Sequence, residues 1–479
     1  MDIRNIGLKN RLLPICITIE GNMFGKESIM LSIPSAAEPI LLQFSIAFTE
    51  QTFQRIILLA TGAILAIGRR TITAILWTMR GLVTGHTSTY HRVFSRAVWS
   101  LWPLGKVLAT AVVHHIPSDE PILVPVDDTT AEHRGKYVYG KGCHYDAVRS
   151  SGHSHVVFRW GHRWVVLAIS VKFAFSSRRW ALPVLCALYR PEQLNNAEGR
   201  RHKTPSHLAR QLMVVLIHWF PERKFVFLGD GGYASHDLAM FCYRHRRHAT
   251  LISRFRGDAN LYAPAPPKRK DQKGRSRVKG HKLPTPKEVV DSGQLRPATI
   301  SWYGGADRRV ELISETGHWY RIGKGVVPIR WVFVHHVEGT HQDEYLYTTD
   351  TSLSAGQIAS WFTTRWPVET TFQEVREHMG FETPQQYVAK SVLRTAPCLL
   401  GLFSVVCLIF AKYVRSGRIH VRSTEWYPKD EPTFSDVMAT VRRLFWQETI
   451  FTQAPYHKGF KKLPLKLRNM LLDYLSQAA

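Results

Sequence analysis

The chain has 479 residues, 45% hydrophobic and 21% charged, a composition typical of a globular protein with two to four structural units. Its 63 Lys and Arg against 37 Asp and Glu give a formal net charge of +26, which favours a polyanionic partner, nucleic acid above all. The six cysteines lack paired spacing, which argues against a disulfide framework or a zinc ribbon and favours a cytoplasmic protein.

Residues 1–40 have a mixed composition and no sustained periodicity, which predicts a flexible leader. The alternative is an upstream extension, with the natural start at Met23 or Met30. The segment lacks a small-residue cleavage site, so we do not interpret it as a secretory signal.

Residues 41–120 are predicted to form a helical DNA-binding domain. Ser88 is expected to cap its third helix, which carries Arg92 and Arg96, and three short helices with a basic last one resemble a helix-turn-helix unit. The alternative is a packing domain whose basic residues are only solvated. Apolar periodicity places the helices at 51–67, 71–80 and 89–97.

Residues 121–255 are predicted to form the first part of an α/β core. Two apolar strands end in acids, Asp127-Asp128 and Asp230, and sites in α/β sheets lie at the carboxyl ends of strands. Asp127-Asp128 before two threonines is also compatible with a simple turn. The predicted strands lie within 121–126, 155–175, 180–189, 225–228 and 250–254, and the predicted helices span 206–220 and 235–245.

Residues 256–345 are predicted to contain a basic loop and a β-rich insertion. Between residues 268 and 287 the chain has nine Lys or Arg against one acid. Lys268, Arg269 and Lys270 are therefore predicted to follow a DNA backbone, with a solvated loop as the alternative. The strands of the insertion are predicted within 309–314, 326–335 and 344–348.

Residues 346–415 are predicted to complete the core, and they contain the most informative part of the sequence. Proline at the first helical position and glycine after the last predict a helix over 367–379. Near its start lies Glu369, four residues after Arg365 and seven before Arg376. A carboxylate between arginines suits a metal-dependent enzyme that acts on phosphodiesters.

Asp127, Asp230 and Glu369 each lie at the end or start of an apolar element. Three converging carboxylates could hold two divalent ions about 4 Å apart. Mg²⁺ is the expected ion, with Mn²⁺ as an alternative, because such ions take few carboxylates together with phosphate oxygens and water. Asp128 is an alternative to Asp127 as the first ligand.

These motifs resemble those of the DDE transposases of bacterial insertion sequences, in the branch whose third motif is Tyr-x-x-Arg-x-x-x-Glu with Lys seven positions later. In the third motif Phe362 replaces the Tyr and Arg376 replaces the Lys, and the resemblance covers roughly residues 45–415. The matching segments are Val-Asp127-Asp128-Thr129, Leu-Gly-Asp230-Gly-Gly-Tyr233 and Arg365-Trp366-x-x-Glu369.

The resemblance implies an α/β fold with a ribonuclease-H-like mixed sheet flanked by helices, an N-terminal helical domain and a β-rich insertion before the catalytic Glu. It implies that Asp127, Asp230 and Glu369 bind the metals and that Arg365 and Arg376 contact DNA. The expected activity is cleavage at transposon ends and strand transfer into target DNA. A homodimer or larger assembly on DNA and a cytoplasmic, nucleoid-associated location in bacteria are expected.

Two rival functions remain: a nuclease of the same core that cuts without joining, and a transposase-derived DNA-binding protein without catalysis. A membrane-surface protein is disfavoured because no amphipathic stretch has a clean basic face, and the apolar runs 56–67 and 399–411 have the length of buried helices. Lys136 and Lys141 belong to a glycine-rich segment predicted to be a hairpin facing DNA. Residues 416–479 are predicted to form a basic helical C-terminal region.

Overall fold

The computed structural model describes residues 31–146, 150, 156–268, 273–302, 304–339, 341–415 and 421–477. The first 30 residues of the predicted leader, including Met23 and Met30, lie outside this set. Arg269 and Lys270 of the basic loop also lie outside it.

Among the described residues, five α-helices precede the first strand. The N-terminus of the fourth differs from the prediction: His86, and not Ser88, is its N-cap, and the Nδ1 atom of His86 accepts the backbone N–H of Ser88 at 3.1 Å. A histidine ring nitrogen can thus fulfil the role for which a hydroxyl was predicted. The helices are α1 (Glu38–Leu41), α2 (Glu50–Leu65), α3 (Ile72–Thr78), α4 (Thr87–Ser95) and α5 (Leu101–Val113), with a 3-10 turn at Leu42–Ala47.

The described strands form one mixed sheet. They are β1 (Ile122–Glu132), β2 (Gly142–Tyr145), β3 (Phe158–Lys172), β4 (Arg179–Tyr189), β5 (Phe225–Gly229), β6 (Ala249–Arg254), β7 (Leu261–Tyr262), β8 (Arg296–Ser301), β9 (Asp307–Arg321), β10 (Gly325–His335) and β11 (Glu344–Thr348). The helices within this region are α6 (Glu192–Ala197), α7 (Pro205–Trp219), α8 (His236–Arg244) and α9 (Pro286–Ser292).

The core of the sheet has the order β4-β3-β1-β5-β6. The first three strands are antiparallel neighbours, and β5 and β6 continue parallel to β1. This arrangement confirms the predicted ribonuclease-H-like mixed sheet. The loop after β5 therefore lies beside the carboxyl-terminal half of β1.

The β-rich insertion extends this sheet. Strand β11 pairs with β6 on one side and with β10 on the other, so that β7 to β10 continue the core sheet. The basic loop is attached to the insertion by Lys279, whose ammonium lies 3.6 Å from the ring centroid of Tyr262 and 4.5 Å from that of Tyr320.

Three helices follow β11: α10 (Ala355–Thr363), α11 (Pro367–Met379) and α12 (Ala389–Val414). Gly380 ends α11 in a left-handed conformation with φ of 63°, in accord with the predicted helix. Leu123 of β1 packs in one apolar cluster with Leu228 of β5 and with Ile358 and Phe362 of α10. We call this side of the sheet the α10 face. Because strand side chains alternate, odd-numbered residues of β1 point to it.

Helix α12 is long and apolar enough to cross a membrane by length and composition, but 72% of its most apolar window is buried in the protein. It extends beyond the apolar run 399–411 because it continues through Pro397. Arg394 donates to the carbonyls of Phe94 and Ala97 at 3.1 and 3.0 Å, which ties α12 to the end of α4. These contacts are those of a core helix.

The C-terminal helices are α13 (Phe434–Phe445), α14 (Ala454–Lys462) and α15 (Leu465–Leu475), with a π turn at Trp446–Ile450. Arg442 of α13 is fully buried and donates to the carbonyls of Ile64 and Ala66 at 2.7 and 3.1 Å. It thereby satisfies carbonyls at the end of α2, which lack partners within that helix.

Candidate catalytic site

Strand β1 continues through both aspartates to Glu132, so the alternative of a turn at Asp127-Asp128 is wrong. Neighbouring residues of a strand point to opposite sides. Asp127 lies on the α10 face, with Leu123, and Asp128 lies on the other face. The two candidates for the first acid are therefore separated by the pleat of the sheet.

One guanidinium group joins Asp127 to Glu369. Arg365 donates from Nη1 to Asp127 Oδ2 at 2.9 Å and from Nη2 to Glu369 Oε1 at 2.8 Å. The arginine lies at the α10–α11 turn, and Pro367 then starts α11, so Glu369 falls in the first helical turn. Two acids that are 242 positions apart in the sequence thus meet on one side chain.

Asp230 follows β5 directly, beside β1, since Gly229 pairs with Val126. Its Oδ1 accepts the backbone N–H of Gly232 at 2.9 Å, and its carbonyl accepts the hydroxyl of Ser253 at 2.8 Å. The negative charge of Asp230 acts on both Asp127 and Arg365. The three predicted acids therefore belong to one electrostatic site around Arg365.

The electrostatics of this site favour a bound cation. Burial raises the pKa of Asp127 to about 7, although Arg365 opposes this shift; Asp230 and Asp128 add to it. Burial also opposes a charged Arg365, but the carboxylates of Asp127 and Glu369 outweigh it and raise the pKa of the guanidinium. One arginine thus compensates only part of the negative charge that the site can carry.

On the opposite face, the carboxylate of Asp128 already accepts hydrogen bonds from two neighbouring side chains. Arg163 of β3 donates to both of its carboxylate oxygens, at 2.5 Å from Nε and 2.9 Å from Nη2. The hydroxyl of buried Tyr233 donates to Asp128 Oδ1 at 3.2 Å. These contacts are those of a supporting residue, and the geometry favours Asp127 over Asp128 as a ligand.

The other two residues of the third motif do not face Glu369. Arg376 bonds to the hydroxyl of Thr129 and lies 3.6 Å from Glu382 Oε1, so it is placed further along β1. Phe362 is buried in the apolar cluster beneath α10, and the Arg365 guanidinium lies over its ring, 5.8 Å from the centroid.

Sequence reasoning gave no role to Arg163, Tyr233, Thr129, Ser253 or Glu382. Tyr233 and Thr129 lie within the quoted motifs, so their positions were available as a signal. Arg163 and Ser253 become visible only once the pairing of β3 with β1 and the position of β6 are known. No sequence signal points to Glu382.

The carboxylates of Asp127, Asp230 and Glu369 would fit a hard divalent ion by donor chemistry, because such ions prefer oxygen ligands. Their ligand atoms do not all lie within 4.8 Å of one another, since the guanidinium lies between two of them. Among the described residues, only Glu374, Glu377 and His378 form such a close group, and it lies further along α11.

Of the described lysines and arginines predicted to bind DNA outside the site, Lys141 is half-buried, and the exposed ones are Lys136, Arg92, Arg96 and Lys268. Lys136 lies over the ring of Tyr137 at 5.5 Å, and Lys268 donates to the Gly274 carbonyl at 2.8 Å. Arg92 and Arg96 are exposed on and just after α4. Lys141 donates to the Gly135 carbonyl at 2.6 Å and lies over Trp160.

A ribonuclease-H-like sheet with one acid within its central strand and another directly after the neighbouring parallel strand is typical of nucleic-acid-processing enzymes. The sequence model of the family described as DDE superfamily endonuclease matches residues 43–309, more than half of the chain. The chain therefore belongs to this family. The match includes Asp127 and Asp230 and ends before Glu369.

A solved structure of the piggyBac transposase synaptic complex with hairpin DNA is similar at 12% sequence identity, with a TM-score of 0.40. The alignment covers 92% of this chain and 81% of the other. No curated protein sequence gives a significant match.

Proposed function

We propose that this protein is the DNA transposase of an insertion sequence, which cuts the ends of its element and joins them to target DNA. The observation that carries the proposal is the single Arg365 guanidinium that holds Asp127 and Glu369, with Asp230 acting on the same site. Family membership supports endonuclease chemistry. The transposase assignment rests on the third motif around Glu369.

In this proposal Asp127, Asp230 and Glu369 would hold divalent ions, Mg²⁺ or Mn²⁺, and the bound ions would supply Lewis-acid chemistry at the scissile phosphodiester. Arg365 neutralises the carboxylates in their absence and offers its N–H groups to a DNA phosphate. Arg376, bonded to Thr129 on the same face, is placed to contact the backbone further along the strand.

DNA is the proposed partner because the net charge of +26 strongly favours a polyanion. Half-buried Lys141 and the exposed residues Lys136, Arg92, Arg96 and Lys268 would supply contacts outside the catalytic site. The basic loop would extend these contacts through Arg269 and Lys270. A homodimer or larger assembly would hold both element ends, in the bacterial cytoplasm at the nucleoid.

The test is Glu369→Gln, with Glu50→Gln as a matched control, because Glu50 is an exposed glutamate in the first turn of α2. We expect Glu369→Gln to lower the rate of Mg²⁺-dependent cleavage at least about a thousandfold, because the variant loses a charged ligand. Duplex binding should stay within about twofold in both variants. Cleavage by Glu369→Gln at the wild-type rate would refute the assigned role.

Strand transfer is tested with a pre-cut element end that carries a free 3′-hydroxyl and a supercoiled target plasmid. A transposase should produce joined molecules with Mg²⁺, and Glu369→Gln should produce none. Cleavage without joining, under conditions in which the wild type is fully active, would identify a nuclease of the same family instead.

A further inference from the structure

Three aromatic side chains form a continuous exposed row on the β2–β3 hairpin. Tyr145, Phe158 and Trp160 are 53%, 61% and 58% exposed, values that are unusual for residues paired within a sheet. Tyr145 pairs directly with Phe158, and their rings meet edge to face at 6.3 Å. We call these three residues the aromatic row. Contiguous exposed apolar patches commonly mark interaction sites.

The row lies on the face of the sheet that carries the candidate catalytic acids. Asp127 pairs with Val166, so these two residues share a face. Trp160 and Phe158 precede Val166 by six and eight positions, and alternation returns both to that face. At about 3.3 Å per residue, Trp160 lies roughly 20 Å along β3 from the partner of Asp127. One DNA strand of about six nucleotides spans that distance.

Positive charge surrounds the aromatic row. The Lys141 ammonium lies 5.4 Å from the ring centroid of Trp160, and Lys136 lies beside exposed Tyr137. The side chain of Arg134 is 95% exposed at the same end of β1, where its Nε atom lies 3.9 Å from Glu132 Oε1. Protein interfaces are depleted in lysine, whereas surfaces that bind single-stranded nucleic acid combine lysines and arginines with stacking rings.

We infer that the aromatic row binds unpaired bases of the DNA substrate next to the cut site. The inference rests on the proposed function, because it takes DNA as the substrate. It adds that this surface binds a strand whose bases are unstacked. Base planes would stack on Trp160, Phe158 and Tyr145, while Lys141 and Lys136 contact the phosphates.

The test measures binding of the full chain to a fluorescein-labelled oligo-dT of about 20 nucleotides and to a duplex of the same length. Trp160→Ala should bind oligo-dT roughly 5- to 100-fold more weakly, the loss expected for a stacked base. Duplex affinity should change less than about threefold, because it depends on phosphate contacts. Trp160→Tyr should retain most of the oligo-dT affinity.

The matched control is Trp426→Ala, which removes a tryptophan that is 85% exposed in the C-terminal region. It should leave both affinities unchanged. Equal oligo-dT binding by Trp160→Ala and the wild type would overturn the inference. A change in sedimentation mass with unaltered DNA affinity would also overturn it, since the row would then contact a second protein copy.

The same preparations separate this inference from the proposed function. If the wild type fails to cleave DNA with Mg²⁺ but Trp160→Ala still loses oligo-dT affinity, only the proposed activity fails. If the wild type cleaves and Trp160→Ala binds oligo-dT normally, only the aromatic row is refuted.

Discussion

Partly buried Asp127 in the sheet and fully buried Asp436 in α13 both accept a hydrogen bond from an arginine, and their pKa values shift in opposite directions. Burial raises the pKa of Asp127 to about 7 in spite of Arg365. At Asp436 burial acts in the same direction, but hydrogen bonds from Lys429, Thr433 and Arg422 outweigh it and lower the pKa to about 2.

The difference lies in how many donors each carboxylate receives. Asp436 accepts Lys429 Nζ at 2.7 Å, Arg422 Nε at 3.0 Å, and both the N–H and the hydroxyl of Thr433, at 3.0 and 2.9 Å. Asp127 receives Arg365, which it shares with Glu369, and the backbone N–H of Asp128. A site with uncompensated negative charge is suited to a cation, and a fully compensated one is suited to stability.

The largest expected effect is the difference in cleavage rate between Asp127→Asn and Asp128→Asn. We expect Asp127→Asn to lower Mg²⁺-dependent cleavage at least about a thousandfold, because it removes a charged ligand from the proposed metal site. Asp128→Asn should lower cleavage less than about tenfold and instead reduce the free energy of unfolding by on the order of 1–3 kcal/mol, since Arg163 loses its partner. Cleavage rates and thermal unfolding of both variants provide the measurement.

The reverse result, a complete loss of cleavage only in Asp128→Asn, would assign the first ligand to the opposite face of the sheet. Asp473→Asn serves as the control, because that aspartate is 70% exposed and lies far along the chain, in α15. It should affect neither measurement.

Much of the site was predictable because its signals are local. Asp127 and Asp230 follow apolar runs, and proline before Glu369 fixes the start of its helix, so each acid could be placed on an element without knowledge of the fold. The parallel neighbours β1 and β5 then follow from the α/β pattern. The family resemblance added the role of Arg365 in contacting DNA and the ribonuclease-H-like sheet.

The remaining features depend on long-range pairing. The choice between Asp127 and Asp128 required the register of β1, because a shift of one residue exchanges the two faces. The position of Arg376 beside Thr129 depends on how α11 packs over β1. The alternative of a turn at Asp127-Asp128 was wrong because pairing with β3 extends β1 through both aspartates and the threonines after them.

The second-largest expected effect is a pH dependence of folding stability and of Mg²⁺ affinity, caused by the titration of Asp127. Its folded pKa of about 7 lies above its ordinary value of 3.8, so between these values the folded chain binds more protons than the unfolded chain. Its contribution to stability is therefore present at low pH and declines as the pH rises from about 4 to about 7. Metal binding requires the carboxylate, so Mg²⁺ affinity should fall about tenfold per pH unit below about 7.

The direction of the change in Mg²⁺ affinity is checked by calorimetric Mg²⁺ titrations at pH 8 and pH 6. The direction of the change in stability is checked by thermal unfolding without metal. Asp127→Asn lacks this titrating carboxyl group. The variant and the wild type should therefore differ in how much their unfolding temperatures change between pH 5 and pH 8. A wild-type Mg²⁺ affinity that is the same at pH 6 and pH 8 would contradict the raised pKa.

The smallest effect is that of Asp436→Asn, which should leave cleavage unchanged and lower the free energy of unfolding by about 2 kcal/mol. The folded pKa of Asp436 lies below its ordinary value, so its stabilisation is present above about pH 4 and is lost as the pH falls toward 2. The difference between variant and wild type should therefore shrink from pH 7 to pH 3 in urea unfolding. Asp473→Asn should cost less than about 0.5 kcal/mol, because its pair with Arg443 is exposed. An equal loss of unfolding free energy in the two variants would show that the several donors to Asp436 stabilise the fold no more than an exposed ion pair does.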